Sequence, residues 1–388
     1  MICPFCLKNA DGDFCSSCGG DLHYKAGETQ LAVGSTIKGQ RTSYIIGAAR
    51  GQGGFGITYA ALDREKNRRV AIKEYFPIRC AIRNRDGSVS PKPGQEAEFG
   101  KGFDNFCKEA NRLVGIKPLA SVVNIWDNIL ANNTAYLVME FLDGAPLHQK
   151  VAQSGGAIPA QDLFPKLAPL MDDIDRLHRQ GILHRDISPD NILWMKDGRL
   201  KLIDFGSSRS MEGDKSMTIM LKQGFAPVEQ YLTHGQGPWT DVYGLGATIY
   251  YCLTGITPPP ALERLEQNTL KSPTSLGVAI SPEEEAALLK AMATQPKERF
   301  KSIGEFRDAL FPQLFQEKPK VVTDTGYKWE MPKWTKDMPS VDPVDPVDPV
   351  DPVIPIPPEP EKQDKNKAIV IVGIIIIILL ILIICLLL

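Results

Sequence analysis

Four short motifs stand in order between Gly51 and Gly206, and together they limit the folds open to this chain more than any other feature. The first, Gly51-Gln52-Gly53-Gly54-Phe55-Gly56, has the pattern G-x-G-x-x-G. That pattern also fits a dinucleotide-binding turn, but such a turn opens a helix, whereas Ile57-Thr58-Tyr59-Ala60 reads as a strand. A glycine-rich hairpin lets backbone N–H groups approach phosphate oxygens closely, because no side chain intervenes. The second motif, Val70-Ala71-Ile72-Lys73, is an apolar strand with a lysine in it. An ammonium there is costly unless it meets an anion, and a nucleotide phosphate is a natural one. The third and fourth are His184-Arg185-Asp186-Ile187-Ser188-Pro189-Asp190-Asn191 and Asp204-Phe205-Gly206.

The sequence around these motifs changes character along its length. Tyr44 to Lys73 is strand-like and punctuated by glycine. From Pro159 to Gln180, Leu163, Leu167, Leu170, Ile174 and Leu177 recur close to the helical period. Ser281-Pro282-Glu283-Glu284 opens a further helix with a capping box and proline at its first position. A sheet-rich part followed by a helix-rich part predicts an α+β domain of two lobes with a cleft between them.

By these motifs and their order the sequence closely resembles the eukaryotic-like, Hanks-type Ser/Thr protein kinases of bacteria, over about residues 44 to 312. The resemblance implies a β-rich N-lobe, an α-helical C-lobe, and transfer of phosphate from ATP to Ser/Thr hydroxyls of protein substrates. Gly51, Gly53, Gly54, Phe55 and Gly56 would cover the nucleotide. Lys73 would hold its α- and β-phosphates, Asp186 would accept or orient the substrate hydroxyl, and Asn191 and Asp204 would bind two Mg²⁺ ions. Met139 to Leu142 would be the hinge against adenine, with Met139 as gatekeeper and Glu140 and Leu142 on the nucleotide. Glu109 is the expected partner of Lys73, with Glu96 and Glu98 as alternatives. The interval from Lys73 to Glu109 is longer than this family usually shows, because Pro77 to Gly94 looks like a polar, turn-rich insertion, expected to be a surface loop of no special role, with regulation or binding as the alternative. Phe225-Ala226-Pro227-Val228-Glu229 stands where the family has its A-P-E element, with Arg299 as the expected ion-pair partner of Glu229. Asp241-Val242-Tyr243-Gly244-Leu245-Gly246 resembles the start of the family's buried central helix.

The chain departs from the family at two positions. Lysine usually stands two residues after the catalytic aspartate, where this chain has Ser188. Seven residues before Glu229, where the family usually has a threonine, this chain has Lys222. The two side chains have exchanged places, so Lys222 is expected to restore the ammonium and Ser188 the hydroxyl. A nucleotide-binding pseudokinase scaffold is the alternative that Ser188 leaves open. Arg185 is expected to receive a phosphate from the segment between Gly206 and Glu229, with Thr218 the favoured site.

Outside this region, Cys3, Cys6, Cys15 and Cys18 form C-x₂-C-x₈-C-x₂-C within residues 1–24. Two such knuckles supply four thiolates to a tetrahedral, structural Zn²⁺, which a module too small for its own hydrophobic core needs; redox thiols are the alternative. Residues 25–43 form a connector. From 316 to 367 the chain reads as a linker, where Val-Asp-Pro repeats from Val341 to Pro352 favour an extended, semi-rigid spacer. Ala368 to Leu388 is apolar without charge or proline, long enough for a single membrane-spanning helix, and Lys362, Lys365 and Lys367 before it place the preceding chain on the cytoplasmic side. The expected location is therefore the cell membrane, with a lipid bilayer as partner through that helix. A net charge of −2 and the lack of a basic patch near residues 1 to 24 argue against nucleic acid. A dimer is left open.

Overall fold

Strand alternation builds the first lobe. The computed structural model describes residues 1–40, 42–205, 222–231 and 235–314; the linker, the apolar run from Ala368 and Thr218 lie outside the described residues. Among the described residues no helix is long and apolar enough to cross a membrane. The N-lobe contains β1 (Thr36–Lys38), β2 (Ser43–Gln52), β3 (Gly56–Asp63), β4 (Arg68–Tyr75), the hairpin of β5 (Ala81–Arg83) and β6 (Val89–Pro91), α1 (Glu96–Val114), β7 (Ile125–Ala131) and β8 (Thr134–Glu140). Six of the strands form one sheet in the order β1-β2-β3-β4-β8-β7, antiparallel throughout. In β4, Val70, Ile72 and Glu74 are fully buried on one face, while Ala71 and Lys73 take the other. The first face packs with Ile46, Tyr59, Phe76, Tyr136 and Val138.

Two parts of this lobe differ from the expectation. The connector is not only a joint: β1 extends the sheet, Leu31 enters the core, and Gly34 and Ser35 bond to Ile46 along the edge of β2. The insertion is not a roleless surface loop. Its hairpin sends Arg83 inward onto the buried Glu74, at 2.7 Å and 2.5 Å between paired atoms, and Tyr59 and Tyr136 donate their hydroxyls to the same carboxylate at 2.9 Å and 3.0 Å. An unpaired carboxylate in this core would be too costly to keep, so β4 requires the hairpin.

The C-lobe contains β9 (Gly144–Pro146), α2 (Leu147–Gln153), α3 (Ala160–Arg179), β10 (Ile192–Met195), β11 (Leu200–Leu202), α4 (Pro238–Thr254), α5 (Ala261–Glu266), α6 (Pro282–Ala291) and α7 (Ile303–Leu310). The periodic leucines of α3 are at most 1% exposed. Pro165 and Pro169 lie inside this helix but on its exposed side, so the hydrogen bond that each removes is lost from the outer face and not from the core. Helix α4 is buried on nearly every side, as a central helix must be. At the start of α6, Ser281 Oγ accepts from Glu284 N at 3.1 Å and Glu284 accepts from Ser281 N at 2.7 Å, a complete capping box.

Candidate active site

The cleft is assembled from β2–β4, α1, the loop before β10 and the residues after β11. The glycine-rich hairpin joins β2 to β3, with Gly53 N bonded to Gly56 O at 2.9 Å. A Cβ placed on Gly51, Gly53 or Gly54 would meet nothing within 4 Å. The protein's own packing therefore does not demand these glycines, whereas close approach of a phosphate does. Lys73 lies in the middle of the sheet, paired in register with Thr58 on β3 and Leu137 on β8, and its ammonium forms an ion pair with Asp204.

Lys73, Glu109, Met139, Asp204 and Phe205 line one cavity. Glu109 is thus the α1 carboxylate brought to the lysine's neighbourhood. Glu96 and Glu98 sit in the first turn of the same helix, and at about 1.5 Å per residue they lie some 15–20 Å further along it. Glu140 in the hinge has its carboxylate engaged by Lys201 at 2.5 Å and Asn124 at 2.7 Å, so its side chain is structural and only its backbone is available to a nucleotide. Leu142 is half-buried at the edge of the C-lobe core.

The loop from His184 to Asn191 is held from below by Asp241, at the start of α4. Its carboxylate accepts the backbone N–H of His184 at 2.8 Å and of Arg185 at 2.7 Å, and pairs with His178 Nε2 at 2.8 Å. Burial alone would raise this carboxyl, but the hydrogen bond and charge of His178, with those of His184, hold it below the ordinary carboxylate value. Arg185 takes φ of 65° and Asp204 φ of 62°, left-handed backbone that non-glycine residues rarely adopt. Asn191 donates its amide to the backbone carbonyl of Asp186 at 2.8 Å and to Asp186 Oδ2 at 2.9 Å, leaving Asn191 Oδ1 as the atom for a metal. Phe205 is buried against His184, ring centroids 4.9 Å apart.

Lys222 and Ser188 meet. The ammonium donates to Ser188 Oγ at 2.7 Å and lies 3.2 Å from Asp190 Oδ2 and 3.9 Å from Asp186 Oδ2. The expected pair of Glu229 and Arg299 is present, doubly bonded at 2.7 Å and 3.2 Å. Sequence reasoning missed the grip of Asp241, although a carboxylate opening an apolar run was a visible signal, and missed Asp190 as a partner of Lys222. Nothing in the sequence marked Arg83 as the partner of Glu74.

The cysteine module brings its four sulfurs together: Cys3, Cys6, Cys15 and Cys18 Sγ all lie within 4.8 Å of one another, with Cys3–Cys18 at 3.6 Å and Cys6–Cys15 at 3.5 Å. Those spacings fit the edge of a tetrahedron, about 3.8 Å for a metal–sulfur distance of about 2.3 Å.

Comparison with known proteins agrees with this geometry. The family description "Protein kinase domain" matches residues 44–305. A probable serine/threonine-protein kinase of Streptomyces coelicolor is 27% identical over 277 residues, covering 68% of this chain and 39% of that protein. Serine/threonine-protein kinase PknB of Mycobacterium leprae is 29% identical, covering 72% of this chain and 45% of that one. The chain thus spans less than half the length of these two relatives. A solved structure described as "PpkA-294 apo form" is similar with a TM-score of 0.66 and 35% identity, covering 73% of this chain and 99% of that one.

Proposed function

The chain belongs to the protein kinase domain family, and from that premise we propose that it phosphorylates Ser/Thr hydroxyls of proteins with ATP and Mg²⁺. The observation that carries this reading is the convergence of Lys73, Asp186, Asn191 and Asp204 on one cleft, tied as Lys73–Asp204 and Asn191–Asp186. The residues fit the nucleotide and its metals: an open glycine hairpin, a lysine on the sheet, and hard oxygens on Asn191 and Asp204. Asn191 and Asp204 would hold the Mg²⁺ ions, which would neutralise charge developing on the phosphoryl group that ATP supplies. Lys73 orients the phosphates and Asp204 balances its charge. Asp186, turned by the Asn191 amide, accepts the proton of the acceptor hydroxyl. Asp241 fixes the loop that carries Asp186, so the base does not reorganise as transfer proceeds. The test is transfer of labelled γ-phosphate to a generic acceptor such as casein. Label on serine and threonine is expected, abolished in Asp204→Asn with the fold retained. Retained transfer in that variant would overturn the assignment.

The same reading takes the four clustered thiolates as a structural zinc ribbon, supported by their spacing and by the lack of an open ligand position. One zinc per chain is expected on metal analysis. It takes Ala368–Leu388 as a membrane anchor, supported by length, purity and the preceding lysines. Deleting residues 368–388 should move the chain from the membrane fraction to the soluble one with activity intact. Nucleotide binding without transfer would instead favour the pseudokinase.

A further inference from the structure

Three side chains beside Asp186 take no part in the transfer steps just described: Ser188, Asp190 and Lys222. Ser188 is fully buried, Lys222 Nζ reaches it at 2.7 Å, and the same ammonium bridges to Asp190 and toward Asp186. The lysine is held from its backbone as well: its carbonyl accepts from Phe225 and Ala226 N–H, each at 3.1 Å. That turn leads into Glu229, whose buried pair with Arg299 fixes it. We propose that Lys222 is the catalytic cation of this site, contacting the phosphoryl oxygens during transfer, and that Ser188 is its positioning residue. The inference rests on the kinase reading. A solvated lysine would not be drawn onto a buried hydroxyl, and a tie to the half-exposed Asp190 alone is worth too little to fix it. An ammonium so placed stabilises charge that grows only in the transition state, so its loss falls on kcat and not on nucleotide affinity. The cation also comes from the segment leading to Phe225, so catalysis depends on where that segment lies.

Lys222→Ala, and Lys222→Met that keeps the stem, should each lower kcat by about a hundredfold with KM for ATP changed less than about threefold. Lys222→Arg should recover part of the rate, and Ser188→Ala should lower kcat by less. The double exchange Ser188→Lys with Lys222→Thr should exceed the product of the single effects. A kcat within about twofold of the parent in both Lys222→Ala and Lys222→Met overturns the inference. Failure of the parent itself to transfer phosphate would instead count against the kinase reading.

A separate observation concerns the cysteine module. Its Pro4 carbonyl accepts the Ala48 N–H at 2.7 Å, at a register shift in the β2–β3 ladder between Ile46 and Ala49. A Cβ on Gly47 would lie 2.3 Å from Pro4 O, 2.9 Å from Leu7 Cδ2 and 3.1 Å from Ala60 O of β3, so glycine is needed chiefly for the contact with the module. Leu7 is buried, yet it is not part of the module's own apolar cluster. Three residues after Ala48 the glycine-rich hairpin begins. We infer that the module clamps the edge of β2 and thereby restrains that hairpin. In the full chain, Leu7→Asp should keep the metal but speed amide exchange across residues 47–53 at least about tenfold and raise KM for ATP. Gly47→Val tests the same contact from the lobe side. Unchanged exchange in both variants overturns the inference, whatever their activity.

Discussion

A buried glutamate–arginine pair sits in each lobe, and the two are built alike. In the N-lobe, Arg83 bonds both oxygens of Glu74 and fills its remaining donors with the carbonyls of Thr29 and Gly87. In the C-lobe, Arg299 bonds both oxygens of Glu229 and fills its donors with the carbonyls of Ala293, Thr294 and Trp239. Each guanidinium also lies over a ring, Phe76 or Tyr243, at 4.8 Å from its centroid. They differ in what they are attached to. Glu74 neighbours Lys73 but faces the opposite side of β4, away from the cleft. Glu229 neighbours Gln230, which donates to the carbonyl of Arg185 beside Asp186. The same anchoring chemistry therefore supports the sheet in one lobe and sets the loop from His184 to Asn191 in the other.

The sharpest way to break this likeness is to remove one carboxylate. Glu229→Ala strands Arg299 in a fully buried site, and removing one partner of a buried pair costs about 3–5 kcal/mol. Activity should vanish too, since the turn from Lys222 to Gln230 loses its fixed point. Denaturant unfolding and phosphate transfer measured together check both. Arg83→Ala should lose about 3 kcal/mol of stability, because Glu74 keeps the two tyrosine hydroxyls, with kcat unchanged at temperatures where the variant is folded. Pairing Arg83→Met with Glu74→Leu should recover much of that loss, since replacing both partners removes the stranded charge. A large fall in kcat in the Arg83 variant would show that the N-lobe pair also reaches the chemistry.

The two pairs also mark what the sequence could disclose. Arg299 and Glu229 stand in motifs whose spacing was recognisable, and so do Lys73, Asp186, Asn191 and Asp204; the succession of a sheet-rich part by a helix-rich part followed from glycine-punctuated strand-like sequence and from helical period. Lys222 and Ser188 were legible as a double departure, and the fold brings the two side chains within 2.7 Å of each other. Arg83 was not legible, because a polar, turn-rich segment reads as solvent-facing until the carboxylate it must reach is known to be buried. The β1 strand was missed for a similar reason: at three residues it is too short for alternation to register.

Asp241 extends the comparison to a carboxylate held by histidine and backbone N–H in place of arginine. Its carboxyl is held below the ordinary value of 3.8, so it binds protons less readily folded than unfolded. Its contribution is therefore complete above about pH 4 and is lost as the pH falls through the lower folded value. Acid unfolding should show stability falling over that window, and Asp241→Asn should flatten the fall. If the variant's pH profile matched the parent's, another carboxylate would be responsible for the acid limb.

The smallest effect separates the two pairs by their hydroxyl donors. Burial, and after it the Glu74 carboxylate, push the Tyr59 and Tyr136 phenols up, so both remain donors at any working pH. Tyr136→Phe removes one hydrogen bond to a charge that keeps Arg83 and Tyr59, and also frees Asn132, which now donates to that hydroxyl at 2.9 Å. The expected loss is about 1.5 kcal/mol, the value of one hydrogen bond to a charged group. In the C-lobe, Glu229 has Thr240 Oγ1 as its hydroxyl donor at 2.9 Å, and Thr240→Val should cost about the same. The kinetic outcome should differ: Thr240→Val shifts the carboxylate that fixes the catalytic loop and lowers kcat, whereas Tyr136→Phe leaves kcat as it was. Equal kinetic effects of the two variants would mean that the lobes do not divide support from chemistry as their hydrogen bonds indicate.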